Sequence, residues 1–459
     1  MKKTLRTWLG VTLTGTALLG WGIPSAIAAD NGKAVTATAL ADASLRPAIE
    51  SLNGTLGWTA DTQSITIDVG GTLAVLKIGS TDATINGQAV KLDKAPYMAN
   101  GATLVSDATL KQLQNVMKNT DKLLFTFSSV GDCRIDDTVT DASAQDLKWL
   151  VNTKVLTRML DEMQAQKSNM LFYNGDMIMG YTPNSDVNIL NREYAFWRGV
   201  VGTAFEHGMY VFPVPGNHET QDNYKDDKGQ TVKKSTVANE NTWRDNMGDI
   251  IVDEKRFAQI LGDQIAGWDP NNYPQIGADH ITTQQKQLDY SFDYRGSHFV
   301  ILNTDPTGND SHAPTEWLAK DLDNAKARGL KHSFVFGHKL AYTYYYDSSA
   351  KVSGLDADMD AANAFWKVIQ DHKATYLSGH EHIFNVSRPN NGSAYQVVVG
   401  SGGSPFEAKK PTKNPLDRDY AYVTAKVYES GKVHFDAYGF DANYGPTLNF
   451  MSWDLNPGF

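Results

Sequence analysis

Hydrophobic and polar positions change their rhythm twice along the chain. Between residues 30 and 118, short β-rich runs such as Ser64–Val69 and Leu73–Ile78 are punctuated by turn signals, among them Asn86-Gly87 and Asn100-Gly101. Two stretches, SLRPAIESLNGTLGW and TLVSDATLKQLQNV, each read as a strand end followed by a short helix. From about residue 119, apolar strands alternate with helical stretches. The strands are Leu123–Val130, Asn169–Tyr173, Met209–Val214, His298–Leu302, Ser333–Phe336 and Ala374–Leu377, and the helices cover 142–167, 189–206, 314–328 and 358–372. That alternation predicts a layered α/β domain. After Gly379 the pattern returns to strands, at Tyr395–Val399, Tyr420–Tyr428 and Lys432–Tyr438, and predicts an antiparallel run at the sheet edge. Residues 220–287 are polar and show no comparable pattern, as expected of a functional insertion or a disordered one.

Composition narrows the picture. The 459 residues are 41% hydrophobic and 20% charged, enough apolar area for sizeable cores and against general disorder. The formal charge is −10, and no Lys/Arg-rich run offsets it, which argues against a nucleic-acid partner. Residues 1–29 read as a signal peptide: MKKTLR is a basic start, an apolar stretch follows, and Ala26-Ile27-Ala28 is a cleavage pattern. No later segment is apolar enough to span a bilayer, so the expectation is a secreted or cell-surface protein with no stable membrane insertion. The one cysteine, Cys133, excludes an intramolecular disulfide and reads as a small buried residue.

Candidate chemistry collects just past the strands. Five strands run into Gly131-Asp132-Cys133-Arg134, Asn174-Gly175-Asp176, Gly216-Asn217-His218-Glu219, Gly337-His338 and Gly379-His380-Glu381-His382. Open α/β sheets bind ligands at the carboxyl ends of their strands. Carboxylate, amide oxygen and neutral imidazole suit Mn, Fe or Zn. Two such ions about 4 Å apart would clamp an in-line displacement at phosphorus and acidify a bound water. A zincin protease is excluded, because neither His218 nor His382 opens an HExxH pattern; a P-loop and a G-x-S-x-G elbow are absent too.

The ordered set GD, GD, GNHE, GH, GHxH resembles the calcineurin-like metallophosphoesterases over residues 120–440, with YSFDYRGSHFVILNTD and YQVVVGSGGSP in agreement. The resemblance implies a four-layer α/β/β/α metallophosphoesterase sandwich over residues 119–459, with two divalent metal ions as cofactors. It implies Asp176 as the bridge, Asn217, His338 and His380 on the second metal, and Asp132 and His382 on the first. His218 would contact the phosphate and help protonate the leaving oxygen. One motif departs: the family's Asp-x-His is here Asp132-Cys133-Arg134. Alternate residues of an extended strand end share a face, which puts Arg134 in the place of the missing ligand, and arginine cannot ligate. Three outcomes stay open: water or Asp136 completes the site, Arg134 holds the substrate phosphate, or the first metal is weak or absent. Met179, three residues after Asp176, stands where the purple acid branch carries a tyrosine.

The segment TLAVLKIGSTDATINGQAVKLDKAPYMANGATLV resembles the copper amine oxidase N-terminal-like domain of exported bacterial proteins. It implies a small α+β accessory domain over 30–118 for surface or protein contact. Amine oxidase chemistry is not implied: Asn223-Tyr224, Asn272-Tyr273 and Asn443-Tyr444 are followed by Lys, Pro and Gly, not by an acid. The expected function is an exported phosphoesterase acting on small phosphate mono- or diesters through a metal-bound hydroxide, with cell-envelope contact through 30–118. The alternative is a non-catalytic surface protein that binds a phosphorylated ligand. His207, His280, His298, His312, His332, His372 and His434 lack motif context and read as structural, with His280 and His312 the first exceptions to check. Glu219 and Glu381 are expected to support their neighbours or to be solvated.

Overall fold

The computed structural model describes residues 42–52, 54–69, 72–118, 121–135, 149–182, 185–409 and 411–455. The stretch 1–29 that reads as a signal peptide, residue Asp136 and the start of the helix expected at 142–167 lie outside them.

The N-terminal segment folds as its turn signals predict. Strands Thr55–Thr59, Ser64–Val69, Thr72–Lys77, Asp82–Ile85 and Gln88–Lys91 form an antiparallel meander. Asn86 and Gly87 both adopt positive φ, the demand of a two-residue hairpin loop. The two similar stretches are helices Leu45–Glu50 and Asp107–Lys118, each preceded by a strand, and those strands pair antiparallel. Leu45, Ile49, Ile67, Leu76, Val105 and Leu113 are fully buried between them.

From Leu123 onward two six-stranded sheets stack face to face. Twelve strands build them: β1 Leu123–Val130, β2 Met170–Tyr173, β3 Tyr210–Pro213, β4 Tyr290–Tyr294, β5 Ser297–Leu302, β6 His332–Gly337, β7 Thr375–Ser378, β8 Phe384–Ser387, β9 Gln396–Val399, β10 Asp419–Tyr428, β11 Val433–Asp441 and β12 Leu448–Leu455. The first sheet has the order β3-β2-β1-β10-β11-β12 and the second β4-β5-β6-β7-β9-β8. Contrary to expectation, the antiparallel run does not form one sheet edge. β10 joins the middle of the first sheet beside β1, whereas β9 lies parallel to β7 in the second. The two strands enter one shared core from opposite sheets, β9 through Val397 and Val399 and β10 through Tyr420, Tyr422 and Val423.

Strand alternation decides that core. Phe125 and Phe127 of β1 and Phe172 of β2 meet Phe299, Phe334 and Phe336 across the gap. The Phe172 and Phe336 rings stack at 4.0 Å, and Phe127 meets Phe334 edge-on at 4.9 Å. The alternate residues Val300, Leu302, Val335 and Tyr376 face outward and are covered by helices Thr315–Ala327 and Met359–Asp371. Ala362, Phe365, Trp366 and Ile369 supply that cover at helical spacing. Helices Trp149–Ala165 and Val187–Glu206 cover the other sheet, and the Asp186 carboxylate caps the latter by accepting from Asn188 and Ile189 N–H. The result is an α/β/β/α sandwich.

The 220–287 segment is regular up to Leu261, while residues 262–287 form no helix or strand beyond isolated bridges. It holds the hairpin Gln221–Lys225/Thr231–Ser235 and helices Val237–Met247 and Glu254–Leu261. Their apolar residues Trp243, Met247 and Phe257 are too few to set a visible period, but they are fully buried in the sandwich core. No helix among the described residues is long and apolar enough to cross a membrane.

Candidate metal centre

The carboxyl ends of β1, β2, β3, β6 and β7 meet at one rim, sewn by backbone bonds. Asp132 N–H donates to Gly175 O, Gly131 N–H to Val399 O, and Gly379 N–H to His338 O, at 2.9–3.0 Å. Close approach needs glycine here. A Cβ on Gly379 would lie 2.1 Å from Asp132 Oδ2, and one on Gly175 (φ 83°) 2.6 Å from His338 Nδ1.

Asp132, Asp176 and His380 adopt left-handed φ of 64°, 52° and 72°. Such conformations cost energy in non-glycine residues and persist where the surroundings impose them. Arg134 is also left-handed, at φ 41°. The strand-face reasoning for residues 132–134 therefore fails, because β1 has already ended at Val130. Arg134 nevertheless reaches the rim: Nε donates to Ser404 Oγ at 3.0 Å, and Nη1 lies 3.5 Å from His218 Nε2. Cys133 points away and is buried, its thiol donating to Met177 O; burial pushes its pKa up to about 12.

Asp176 is the hub. Its Oδ1 lies 3.1 Å from His338 Nε2, and its Oδ2 3.5 Å from His218 Nε2. Burial disfavours its charge, but His218, His338 and His380 outweigh that and hold its pKa well below the usual carboxylate range. His338 donates Nδ1–H to Asn174 O at 2.8 Å, which aims Nε2 at Asn217 Oδ1 (2.9 Å) and at His380 Nδ1 (3.1 Å). The Asn217 amide donates to the Tyr181 hydroxyl, and this fixes its oxygen toward His338. On the other side, His382 donates Nδ1–H to Pro405 O at 2.6 Å, and its Nε2 lies 3.6 Å from Asp132 Oδ1. Burial pushes the Asp132 carboxyl well above its ordinary pKa and holds His382 and His380 well below theirs. Burial also opposes the charge of His338, but Asp176 and Asp132 prevail and raise it to about 10.

Two overlapping donor groups result: Asp176, His338 and His380, and Asp132, Asp176 and His382, with each group's ligand atoms within 4.8 Å of one another. Imidazole nitrogens whose other N–H is committed to a backbone carbonyl are the usual presentation of metal ligands. His338 and His382 show it, and His338 Nε2 and His380 Nδ1 turn toward one point beside the Asp176 carboxylate. The donor set thus fits a pair of divalent cations, with Asp176 common to both.

All eight residues singled out in the sequence converge on this rim. Burial holds His218 down to about 3, and its Nδ1–H is committed to Met179 O, so the resting ring presents a bare Nε2. Glu219 is buried, not solvated. It accepts from the backbone N–H of Asp176, Met177, Ile178 and Gly216 at 2.7–3.2 Å and locks two ligand loops together. Glu381 is buried too, but faces away, accepting from Ser353 Oγ and Tyr344 N–H. His280 is exposed, and His312 sits beside Asp310 O and Asp358. Tyr181, Ser404 and Lys233 escaped the sequence reading. Only Ser404 lies in a recognisable stretch, YQVVVGSGGSP; the other two carry no motif.

Residues 43–121 match the family model described as copper amine oxidase N-terminal domain. No curated protein matches the chain by sequence. Among solved structures, the purple acid phosphatase PPD1 of yellow lupin (Lupinus luteus) seeds is 12% identical, with TM-score 0.47, over 86% of this chain and 60% of its own. A dimetal phosphatase from Danio rerio is 13% identical, with TM-score 0.37, over 72% of this chain and all of its own. GAP50, the anchor in the inner membrane complex of Plasmodium, is 15% identical, with TM-score 0.40, over 74% and 90%. The chain thus spans 60% of the length of the lupin phosphatase. These likenesses are distant, and the functional reading stands on the rim itself. The chain joins a segment that matches the copper amine oxidase N-terminal domain to an α/β/β/α sandwich whose rim gathers two overlapping sets of metal-ligand residues.

Proposed function

We propose that this protein is a metal-dependent phosphoesterase acting on small phosphate esters outside the cytoplasm. One observation carries the reading: a single buried carboxylate, Asp176, is shared by two donor groups at the carboxyl ends of parallel strands. Asp132 and His382 would hold one cation with Asp176, and Asn217, His338 and His380 the other. Bound there, a divalent pair supplies an activated water and neutralises charge developing at phosphorus. Arg134, held by Ser404, orients a phosphate oxygen as a fixed-fork donor. His218, with its bare Nε2 beside Arg134, contacts the substrate and must gain a proton before it can serve a leaving group. The leader pattern supports export, and the acidic chain supports small substrates over nucleic acid. The N-terminal segment would make the cell-envelope contact.

Arg134 also favours the second reading, a phospho-ligand binder with one cation. Metal analysis and turnover of p-nitrophenyl phosphate and bis(p-nitrophenyl) phosphate, with Mn, Fe and Zn, separate the two. Two ions per chain and turnover abolished by Asp176→Asn are expected; at most one ion and no turnover would leave the binder.

A further inference from the structure

The hairpin Gln221–Lys225/Thr231–Ser235 brings one more cation to the rim. In its register Asn223 pairs with Lys233, and directly paired residues share a face. Both therefore point at Tyr181. Asn223 Nδ2 donates to Tyr181 O at 3.0 Å, and Lys233 Nζ lies 3.6 Å from the centroid of the Tyr181 ring. That ring in turn lies 4.0 Å from the His218 imidazole. The charge of Lys233 is felt at His218 and Asp176. Neither Lys233 nor Arg134 makes an ion pair among the described residues, and Lys233 is open to solvent. Lys234 pairs with Asp222 and projects from the opposite face.

Two cations that form no ion pair among the described residues thus lie beside His218, in addition to any metal ions, although Arg134 also feels the Glu407 and Asp132 carboxylates. We propose that Lys233 and Arg134 form a receptor for the additional negative charge of a phosphate monoester, which makes the site select monoesters over diesters. A monoester carries about 1.5 to 2 negative charges at neutral pH, and one more unesterified oxygen than a diester. A diester would place an uncharged ester group against these two cations, a mismatch that specificity exploits. The stacked tyrosine face and the Asn223 anchor hold the ammonium in place before substrate arrives.

The inference rests on the phosphoesterase reading, and its test keeps the two apart. The metal-loaded full chain is titrated with inorganic phosphate by calorimetry and assayed on p-nitrophenyl phosphate and bis(p-nitrophenyl) phosphate, as wild type, Lys233→Gln, Lys233→Arg and Lys234→Gln. Lys233→Gln should weaken phosphate binding and raise the monoester KM, each on the order of 10–100-fold, the worth of one charge-assisted hydrogen bond. Its diester loss should be smaller by at least about tenfold on the same scale. Lys233→Arg should retain most of the preference, and Lys234→Gln all of it. Equal losses on both esters, unchanged phosphate affinity, a wild-type preference for diesters, or the same loss in Lys234→Gln would overturn it. Lys233-dependent phosphate binding without turnover would sink the hydrolase and keep the receptor. Neither binding nor turnover would sink both.

Discussion

Histidine and aspartate are buried together at both ends of the sandwich, with opposite results. At the β4–β5 turn, away from the rim, His298 donates from Nδ1 to Asp293 Oδ1 at 2.6 Å and from Nε2 to Asp321 Oδ2 at 2.9 Å. Arg328 forks onto Asp293 at 2.7 and 3.0 Å, and Asp321 also accepts from Ser291 and Asn272. Each imidazole nitrogen there meets an acceptor, and two cations balance two carboxylates. At the rim, His338 Nε2 faces His380 Nδ1 at 3.1 Å, Asp176 Oδ1 at 3.1 Å and Asn217 Oδ1 at 2.9 Å, so ring nitrogens, carboxylate and amide oxygen crowd one point. Residue types alone do not make a metal site. Several ligand atoms converging on one point are what a cation needs, and the left-handed backbone at Asp132, Asp176 and His380 shows strain carried where they converge.

The contrast can be broken by swapping which cluster is disturbed. Asp176→Asn should remove at least on the order of 10³-fold of phosphoesterase turnover, the upper end of what one charge-stabilising group carries, and lower bound metal measured by elemental analysis. His298→Asn should leave metal content of the folded protein intact yet cost about 3–5 kcal/mol in urea unfolding, because it strands buried carboxylates. Lost metal in His298→Asn, or lost stability without lost metal in Asp176→Asn, would erase the distinction.

Glu219→Gln tests whether the rim needs its loops locked: metal affinity should fall roughly 10–100-fold, with the fold retained by circular dichroism. The pH dependence of stability sharpens the other side. Burial opposes the charge of His298, but Asp293 and Asp321 prevail and raise its pKa. A raised folded-state pKa contributes stability in full below the unfolded value of about 6.5, lost as pH rises through the folded value. The stability gap between wild type and His298→Asn should therefore be widest in mild acid and narrow with rising pH. The smallest effect belongs to Cys133. A thiol pushed up to about 12 and fully buried should react with a disulfide reagent only after unfolding, so native protein should show no fast labelling beside the metal centre.

Much of the sandwich was legible because strands and helices write their burial into period. β1, β2, β3, β5, β6 and β7, and the helices beginning at Val187, Thr315 and Met359, lie within a few residues of their predicted spans. The candidate ligand residues were legible because their loops each follow a strand and a glycine. β4, β8 and β12 were not read as strands, and the 220–287 elements were missed, because their few buried residues carry no local rhythm. The neighbours of the site were missed for a related reason. Tyr181, Ser404 and Lys233 gain their meaning from a partner far along the chain.

Sequence by itself determined the strand ends, the donor types delivered there and the hairpin chemistry of the N-terminal segment, since these depend on short-range sterics and on side-chain protonation. Only the tertiary structure decided that β9 and β10 belong to different sheets, that Arg134 reaches the rim from a left-handed backbone, and that Lys233 lies over Tyr181. Those outcomes are set by how two aromatic faces dock, a cooperative fit among residues hundreds of positions apart that no local pattern encodes.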